Sequence, residues 1–343
     1  MVRFARCEGV LNDACGVAFT GAVARIEHRG LPVYERAFGM TRDDDAKRPV
    51  YVDTRFDFAS LTKVFVATVV LHLIAAGRLA LDETLDGWFP PWRGLPQERI
   101  TLRMLLAHTS GMQSGADYRT LLDERVETFA LERPLAASPG ERVIYSDLGF
   151  IVLGALIARV SGVSLASATR AVFPSASLGF APPARERSSI VATEDDSWRG
   201  RVQGTVHDEK AALMGGCAGH AGLFGTAADV AALTEIYLGA GCGRGSDLLP
   251  ADLAREATQE AAFDPVLRRG LGWALKTSAS NSCGERFGAS SFGHTGFVGT
   301  CVWADPQRDV LGVLLTNTVY YGRGDSRALR AAFYNALVED IEA

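Results

Sequence analysis

The sequence predicts an α/β fold of the α+β kind, an antiparallel sheet flanked by helices with a mostly helical domain inserted into it. Three observations carry that expectation. Alternating, β-branched runs open the chain, the middle turns to short helical segments between Gly- and Pro-rich loops, and strand-like runs return before a last helical stretch. The sheet domain is expected to comprise 1–78 and 266–343 and the helical domain 79–265, with a ligand-binding cleft between them.

Taken in order, segments 16–30 (GVAFTGAVARIEHRG) and 31–40 (LPVYERAFGM) meet at Arg29-Gly30 and read as a hairpin of two strands. A helix follows Ser60, with Val64, Ala67, Thr68, Leu71 and Ile74 at helical spacing and Gly77 as its stop. TLRMLLAHTS (101–110) and DLGFIVLGALIARVSG (147–162) read as short amphipathic helices of the middle region. RGLGWALKT (269–277), FVGTCVWADP (297–306) and DVLGVLLTNT (309–318) read as strands, and 325–341 as the terminal helix. No internal repeat or low-complexity linker interrupts this order.

Composition narrows the function classes. With 343 residues, 48% hydrophobic and 22% charged, the chain can bury a substantial core. A net charge of −5 gives no footprint for nucleic acid or an anionic membrane, so neither is expected as a partner. The first sixteen residues, MVRFARCEGVLNDACG, lack the apolar stretch of a signal peptide, and a cytoplasmic location is expected. Cys7, Cys15, Cys217, Cys242, Cys283 and Cys301 form no CxxC pair and read as unpaired thiols. Cys217 and His220 lack the second ligand pair that zinc needs, so no metal or other cofactor is expected.

One stretch carries chemistry. FDFASLTKVFVATVV (56–70) places a lysine inside an apolar helix, although only Lys47, Lys63, Lys210 and Lys276 are lysines among 35 Lys+Arg. Ser60 and Lys63 stand at i and i+3 and so share a helix face. A serine hydroxyl is a weak nucleophile until a base takes its proton, and a lysine with a depressed pKa can be that base, whereas arginine stays protonated. A helix N-terminus would also aim backbone dipoles at a developing oxyanion. The spacing alone is weak evidence and fits a capping serine and a solvated lysine better than a catalytic pair.

Two further stretches follow in order. VIYSDLGF (143–150) supplies Tyr145 and Asp147, and FGHTGFVGT (292–300) supplies His294, Thr295 and Gly296, expected at the start of a strand. With these motifs the chain resembles the serine β-lactamase and penicillin-binding-protein family, whose branches include DD-peptidases, D-aminopeptidases and carboxylesterases. The family motifs are SxxK, YxN and K/H-T-G. ITLRMLLAHTSGM (100–112) and GGCAGHAGLFGTAADVAAL (215–233) match its intervening phrases, and the likeness runs from about 16 to 320. It implies a β-lactamase/transpeptidase-like fold, with Ser60 acylated, Lys63 its proton acceptor or relay, and Tyr145 a second base. It also implies that His294 and Thr295 line the substrate edge, that the N–H groups of Ser60 and Phe297 form the oxyanion hole, and that Gly296 lets substrate approach the backbone.

Two departures from the family pattern bear on substrate. Asp147 stands where penicillin-recognising members carry asparagine, and as an anion it would keep Lys63 protonated and favour the tyrosine as base. His294 replaces a lysine, which weakens the fixed positive charge for a β-lactam carboxylate. The expected enzyme is a serine hydrolase of small esters, amides or peptides, a carboxylesterase first and a D-amino-acid peptidase second. An acyltransferase using the same acyl-enzyme, a weak β-lactamase and a non-catalytic binding module are the alternatives.

The other polar residues have plainer readings. Lys276 in KTS lacks the glycine and reads as an exposed strand-end residue. His108 reads as a helix-end residue whose ring satisfies loop backbone, and His220 as part of a glycine-rich loop bordering the cleft. His207 and Asp208 adjoin in VHDEK, but neighbours in sequence seldom orient each other as a triad does, so His207 is a cleft-wall residue only. The acidic runs 43–45 and 194–196 read as solvated loops.

Overall fold

The structure, a computed structural model, describes residues 4–115, 117, 121–122, 125–278 and 281–343; the first three residues of the N-terminal stretch lie outside them. Its main sheet is antiparallel with strand order β2-β1-β11-β10-β9-β8. These strands are β1 (Gly21–His28), β2 (Leu31–Gly39), β8 (Ala274–Leu275), β9 (Phe292–Thr295), β10 (Cys301–Asp305) and β11 (Val310–Thr316). The hairpin at Arg29-Gly30 forms as expected, and β1 then pairs with β11 through Val23↔Leu315 and Ala24↔Leu314, which joins the two ends of the chain.

Period-two alternation assigns the two faces. Ala22, Ala24, Ile26, Trp303, Val310 and Leu314 pack under helices α1 (Ala5–Ala14) and α10 (Arg327–Ile341). Val23, Val302, Ala304, Leu311, Val313 and Leu315 enter a larger core on the other side. Both faces are covered, which explains why β11 reads as a continuous apolar run instead of an alternating one.

The larger core is built around α2 (Thr62–Ala75), buried at every position from Thr62 to Leu71. A helix that is apolar all round is a central one, so the single face expected from spacing is here the whole circumference. Against it pack α3 (Leu102–Leu106), α4 (Val126–Glu132), α5 (Asp147–Ser161) and α6 (Leu165–Val172). Helix α5 is likewise buried along most of its length, so it is a core helix and not an amphipathic one. The region also contains a short sheet of β3 (Phe56–Asp57), β7 (Leu223–Gly225) and β4 (Gly179–Phe180), and the hairpin β5 (Ala192–Asp196) with β6 (Gly200–Gln203).

The division at 78 and 266 needs correcting in its physical sense. Of the remaining helices, α7 (Glu209–Leu213), α8 (Ala227–Gly241) and α9 (Ala251–Ala257), it is α8 that packs directly on β1, β10 and β11. Its Val230, Leu233 and Leu238 belong to the same core as Val313 and Leu315. Strand β3 of the first segment meanwhile pairs with β7 of the inserted one. Apolar cover, and not chain order, decides where these elements sit.

Candidate active site

The residues before α2 form a sharp turn that is locked from three sides. Ala59 has φ +45°, a conformation costly for a residue with a Cβ. Buried Asp57 accepts the Ala59 N–H at 2.8 Å, the Phe58 N–H donates to the Leu223 carbonyl at 3.0 Å, and Thr300 Oγ1 donates to the Phe58 carbonyl at 3.1 Å. The turn delivers Ser60, in the 3₁₀ segment Ala59–Leu61, to the head of α2.

One helical turn on, Lys63 is fully buried. Its ammonium has three donors and three acceptors: Ser60 Oγ at 3.0 Å, the His220 carbonyl at 3.1 Å and Asp147 Oδ1 at 2.8 Å. Burial opposes its charge, but the Asp147 carboxylate and the Tyr145 phenol outweigh burial and hold its pKa above the ordinary lysine value. Asp147 opens α5, where the helix dipole favours an anion, and although burial pushes its pKa up, Lys63, His220 and Lys210 bring it below the usual range.

Sequence reasoning missed the rest of this charge chain. Asp147 Oδ2 lies 3.4 Å from Lys210 Nζ, which lies 3.3 Å from Asp208 Oδ2, whose Oδ1 meets His220 Nε2 at 2.8 Å. Asp147, Asp208 and His220 are close enough to share an ion, but the Lys63 and Lys210 ammonium groups already supply the positive charge between them. The adjacency of His207 and Asp208 does dissolve as expected: His207 Nε2 turns away to Glu194 Oε1 at 3.0 Å and its ring faces Phe297. Cys217 is part of no metal-ligating group among the described residues.

Tyr145 stands between cations and imidazoles. Lys63 Nζ lies 5.0 Å from its ring centre and Arg269 Cζ 5.1 Å, while the His108 ring is 4.6 Å away and the His294 ring 6.1 Å. His108 follows α3, and its Nδ1 accepts the Ser146 N–H at 3.0 Å, which fixes the backbone beside Tyr145 as a helix-end ring satisfying a loop should. His294 is buried, and its Nδ1 donates to the Thr295 carbonyl at 3.0 Å, leaving Nε2 as an acceptor. Burial first, then the charges of Arg269 and Lys63, hold both imidazoles well below the ordinary histidine pKa, so both are neutral. Arg269 escaped the sequence reading; no spacing rule links it to Tyr145, 124 residues earlier.

The HTG triplet lies elsewhere in its strand than expected. His294 and Thr295 end β9, and Gly296 to Gly299 make a turn, with φ +123° at Gly299, before β10 begins. Phe297 and Val298 are turn residues for that reason, not the opening of a strand. A Cβ at Gly296 would lie 2.1 Å from Thr300 Oγ1 and 2.6 Å from the Phe58 carbonyl. Its missing side chain lets β9 close on the turn before Ser60, so the glycine serves packing here. Arg330 of α10 donates to the Gly296 carbonyl at 2.7 Å and ties the same turn from behind.

Ser60, Tyr145, Arg269, His294, Thr295 and Phe297 border one cavity of about 500 Å³, whose wall also includes Arg330. Asp147 and Lys63 stand behind Ser60 and Tyr145. Two plainer readings are overturned. Lys276 is half-buried, its ammonium clamping the carbonyls of Glu285 and Phe287, and is not an exposed strand end. Glu194 lies in β5, not in a solvated loop, where Arg323 and His207 hold its pKa down at about 2 against the opposing effect of burial.

With this geometry in hand, the chain can be compared with known proteins. A family model described as Beta-lactamase matches residues 13–336. The chain is 31% identical to the esterase EstB of Burkholderia gladioli, over 96% of this chain and 95% of that one. It is 28% identical to the N-acetylmuramyl-L-alanine amidase of Bacillus subtilis (strain 168), over 92% and 81%. Among solved structures, EstCE1, described as a hydrolase with promiscuous acyltransferase activity, superposes with a TM-score of 0.79 at 23% identity, over 96% and 98%, a likeness of fold alone. A match that runs from β1 to α10, and so through every part of the cavity wall, leaves one conclusion: the chain belongs to the Beta-lactamase family and is a serine hydrolase.

Proposed function

We propose that the protein is a carboxylesterase that works through an acyl-enzyme on Ser60. The observation that carries this reading is the Ser60–Lys63–Asp147 contact, with a buried ammonium donating to the serine oxygen and ion-paired to a carboxylate. A lysine held protonated cannot take the Ser60 proton, so the base is Tyr145. Its phenolate accepts the proton as Ser60 Oγ bonds to the substrate carbonyl carbon, and the carbonyl electron pair moves to oxygen, received by the N–H groups of Ser60 and Phe297. Tyr145 then protonates the leaving alkoxide. In the second half it takes a proton from water as the water oxygen bonds to the acyl carbon, and returns that proton to Ser60 Oγ as the acyl C–Oγ bond breaks and the acid leaves. Thr295 borders the same cavity as Ser60 and Tyr145.

The ester preference is supported by the neutral His294, which offers no fixed charge where a lysine would face a β-lactam carboxylate, and by the named activity of EstB. Hydrolysis of D-amino-acid peptides is the second reading, favoured by a relative named a putative D-alanyl-D-alanine carboxypeptidase in Escherichia coli (strain K12), 29% identical over 83% of this chain and 75% of that one. Acyl transfer to an added alcohol would use the same intermediate, as the description of EstCE1 indicates for that protein. The test is intact-protein mass after a fluorophosphonate and, separately, a penicillin, with p-nitrophenyl ester turnover and Ser60→Ala as control. A Ser60-dependent adduct with ester turnover and no penicillin hydrolysis supports the esterase; no adduct in folded protein overturns it. A cytoplasmic location is proposed with it, supported by six free thiols, three of them buried, and cell fractionation checks it.

A further inference from the structure

Arg269 has no part in the motifs, yet it sits in the wall of the reaction cavity. It is 7% exposed, and its Nε has no hydrogen-bond partner. No carboxylate pairs with it among the described residues; its side chain instead stands over the Tyr145 ring, at 5.1 Å. A buried guanidinium in that condition is costly unless something answers its charge. Burial pushes its pKa below the ordinary arginine value, with the Tyr145 phenol acting in the opposite direction, and an arginine so shifted is still a cation.

The groups facing Tyr145 from each packed element can be named. Lys63 comes from α2, Asp147 from α5, His108 from the end of α3, His294 from β9 and Arg269 from the segment before β8. Both histidines are neutral, and the Lys63 ammonium divides its charge between the Tyr145 phenol and Asp147 at 2.8 Å. Arg269 is the second cation beside the phenol, and it has no carboxylate partner among the described residues.

We propose that Arg269 is the positioning residue that, with Lys63, stabilises the negative charge of Tyr145 when it acts as base, supplying what the neutral His294 does not. The proposal rests on the reading of Tyr145 as base. The proton moves from Ser60 Oγ to the Tyr145 oxygen and later to the leaving group, and Arg269 exchanges none. Its guanidinium acts through space on the phenolate it overlies.

The test uses the full chain with Arg269→Gln and Arg269→Lys, and a neutral p-nitrophenyl ester. In Arg269→Gln, kcat/KM at pH 7 should fall by about tenfold or more, and the acidic limb of its pH profile should move up. Arg269→Lys should restore part of both. A uniform loss at every pH, with an unmoved limb, would mean a structural role and overturn the proposal. A loss confined to KM of carboxylate-bearing esters would assign Arg269 to substrate recognition and also overturn it. The rate at which a fluorophosphonate labels Ser60 is the readout independent of ester turnover. Labelling should slow in Arg269→Gln, and an unchanged rate rejects the proposal even if the esterase reading fails. Should Arg269→Gln not fold, the same labelling rate in Arg269→Lys against the parent decides, because the more compact ammonium should also lower it.

Discussion

The two walls of the cavity handle charge in opposite ways. Behind Ser60, charges alternate in sign from Lys63 to Asp147, Lys210 and Asp208, and the row ends on the His220 ring, each within 3.4 Å of the next. Across from it, Arg269 and Arg330 face the cavity without a carboxylate partner among the described residues, beside a neutral His294. The first wall is electrostatically complete in the free protein and so holds geometry. The second is incomplete, and its positive potential is answered only when negative charge develops on the phenol or the substrate. Preorganised charge of this kind stabilises a transition state because it need not reorient during the reaction.

Ser60→Ala tests whether the two walls meet at the reacting atom. Ester turnover should fall by about 10⁴-fold or more with the thermal midpoint unchanged, and surviving turnover would place the chemistry elsewhere. Breaking the complete wall should show in stability. Asp147→Ala leaves Lys63 buried without its anion and should cost about 3–5 kcal/mol in urea unfolding, whereas Arg269→Gln removes an unanswered charge and should cost little or be stabilising. Equal losses would erase the contrast between the walls.

Gly296→Ala probes the seam where the walls join. The new Cβ would meet Thr300 Oγ1 and the Phe58 carbonyl, shift the turn before Ser60, and lower kcat by about 10²-fold with a smaller change in KM. Counted per unit of pH and per histidine, the smallest effect is that of acid. His108 and His294 have depressed pKa values when folded, so below about pH 6.5 the unfolded chain binds more protons and stability falls with falling pH, by up to about 1.4 kcal/mol per unit for each histidine. Urea midpoints at pH 7 and 5 measure the slope, and His294→Gln should reduce it.

What could be read in the sequence was local or ordered along the chain. Ser60 and Lys63 are one helical turn apart, so their contact follows from helix geometry once the helix is granted. The hairpin at Arg29-Gly30 and the core strand β11 carry their period in a few residues. The partners of Tyr145 were not legible, because Arg269 and His108 reach it by tertiary folding and neither residue type is unusual in its own segment. The apolar letters of Phe297 and Val298 suggested a strand, but Gly296 and Gly299 on either side decide for a turn. Burial on all sides hid the helical face of α2 and α5 for the same reason that a central strand hides its alternation.

Helix α8 belongs to the inserted segment by order and to the sheet by position. Cutting the chain at 78 and 266 would therefore give two fragments, each with a bared apolar face, and neither would be an autonomous module. Exchange of parts between this chain and a relative should succeed when α8 travels with the strands it covers and fail when a breakpoint parts them. The cavity can thus be remodelled by changing its loops, while the scaffold is passed on whole.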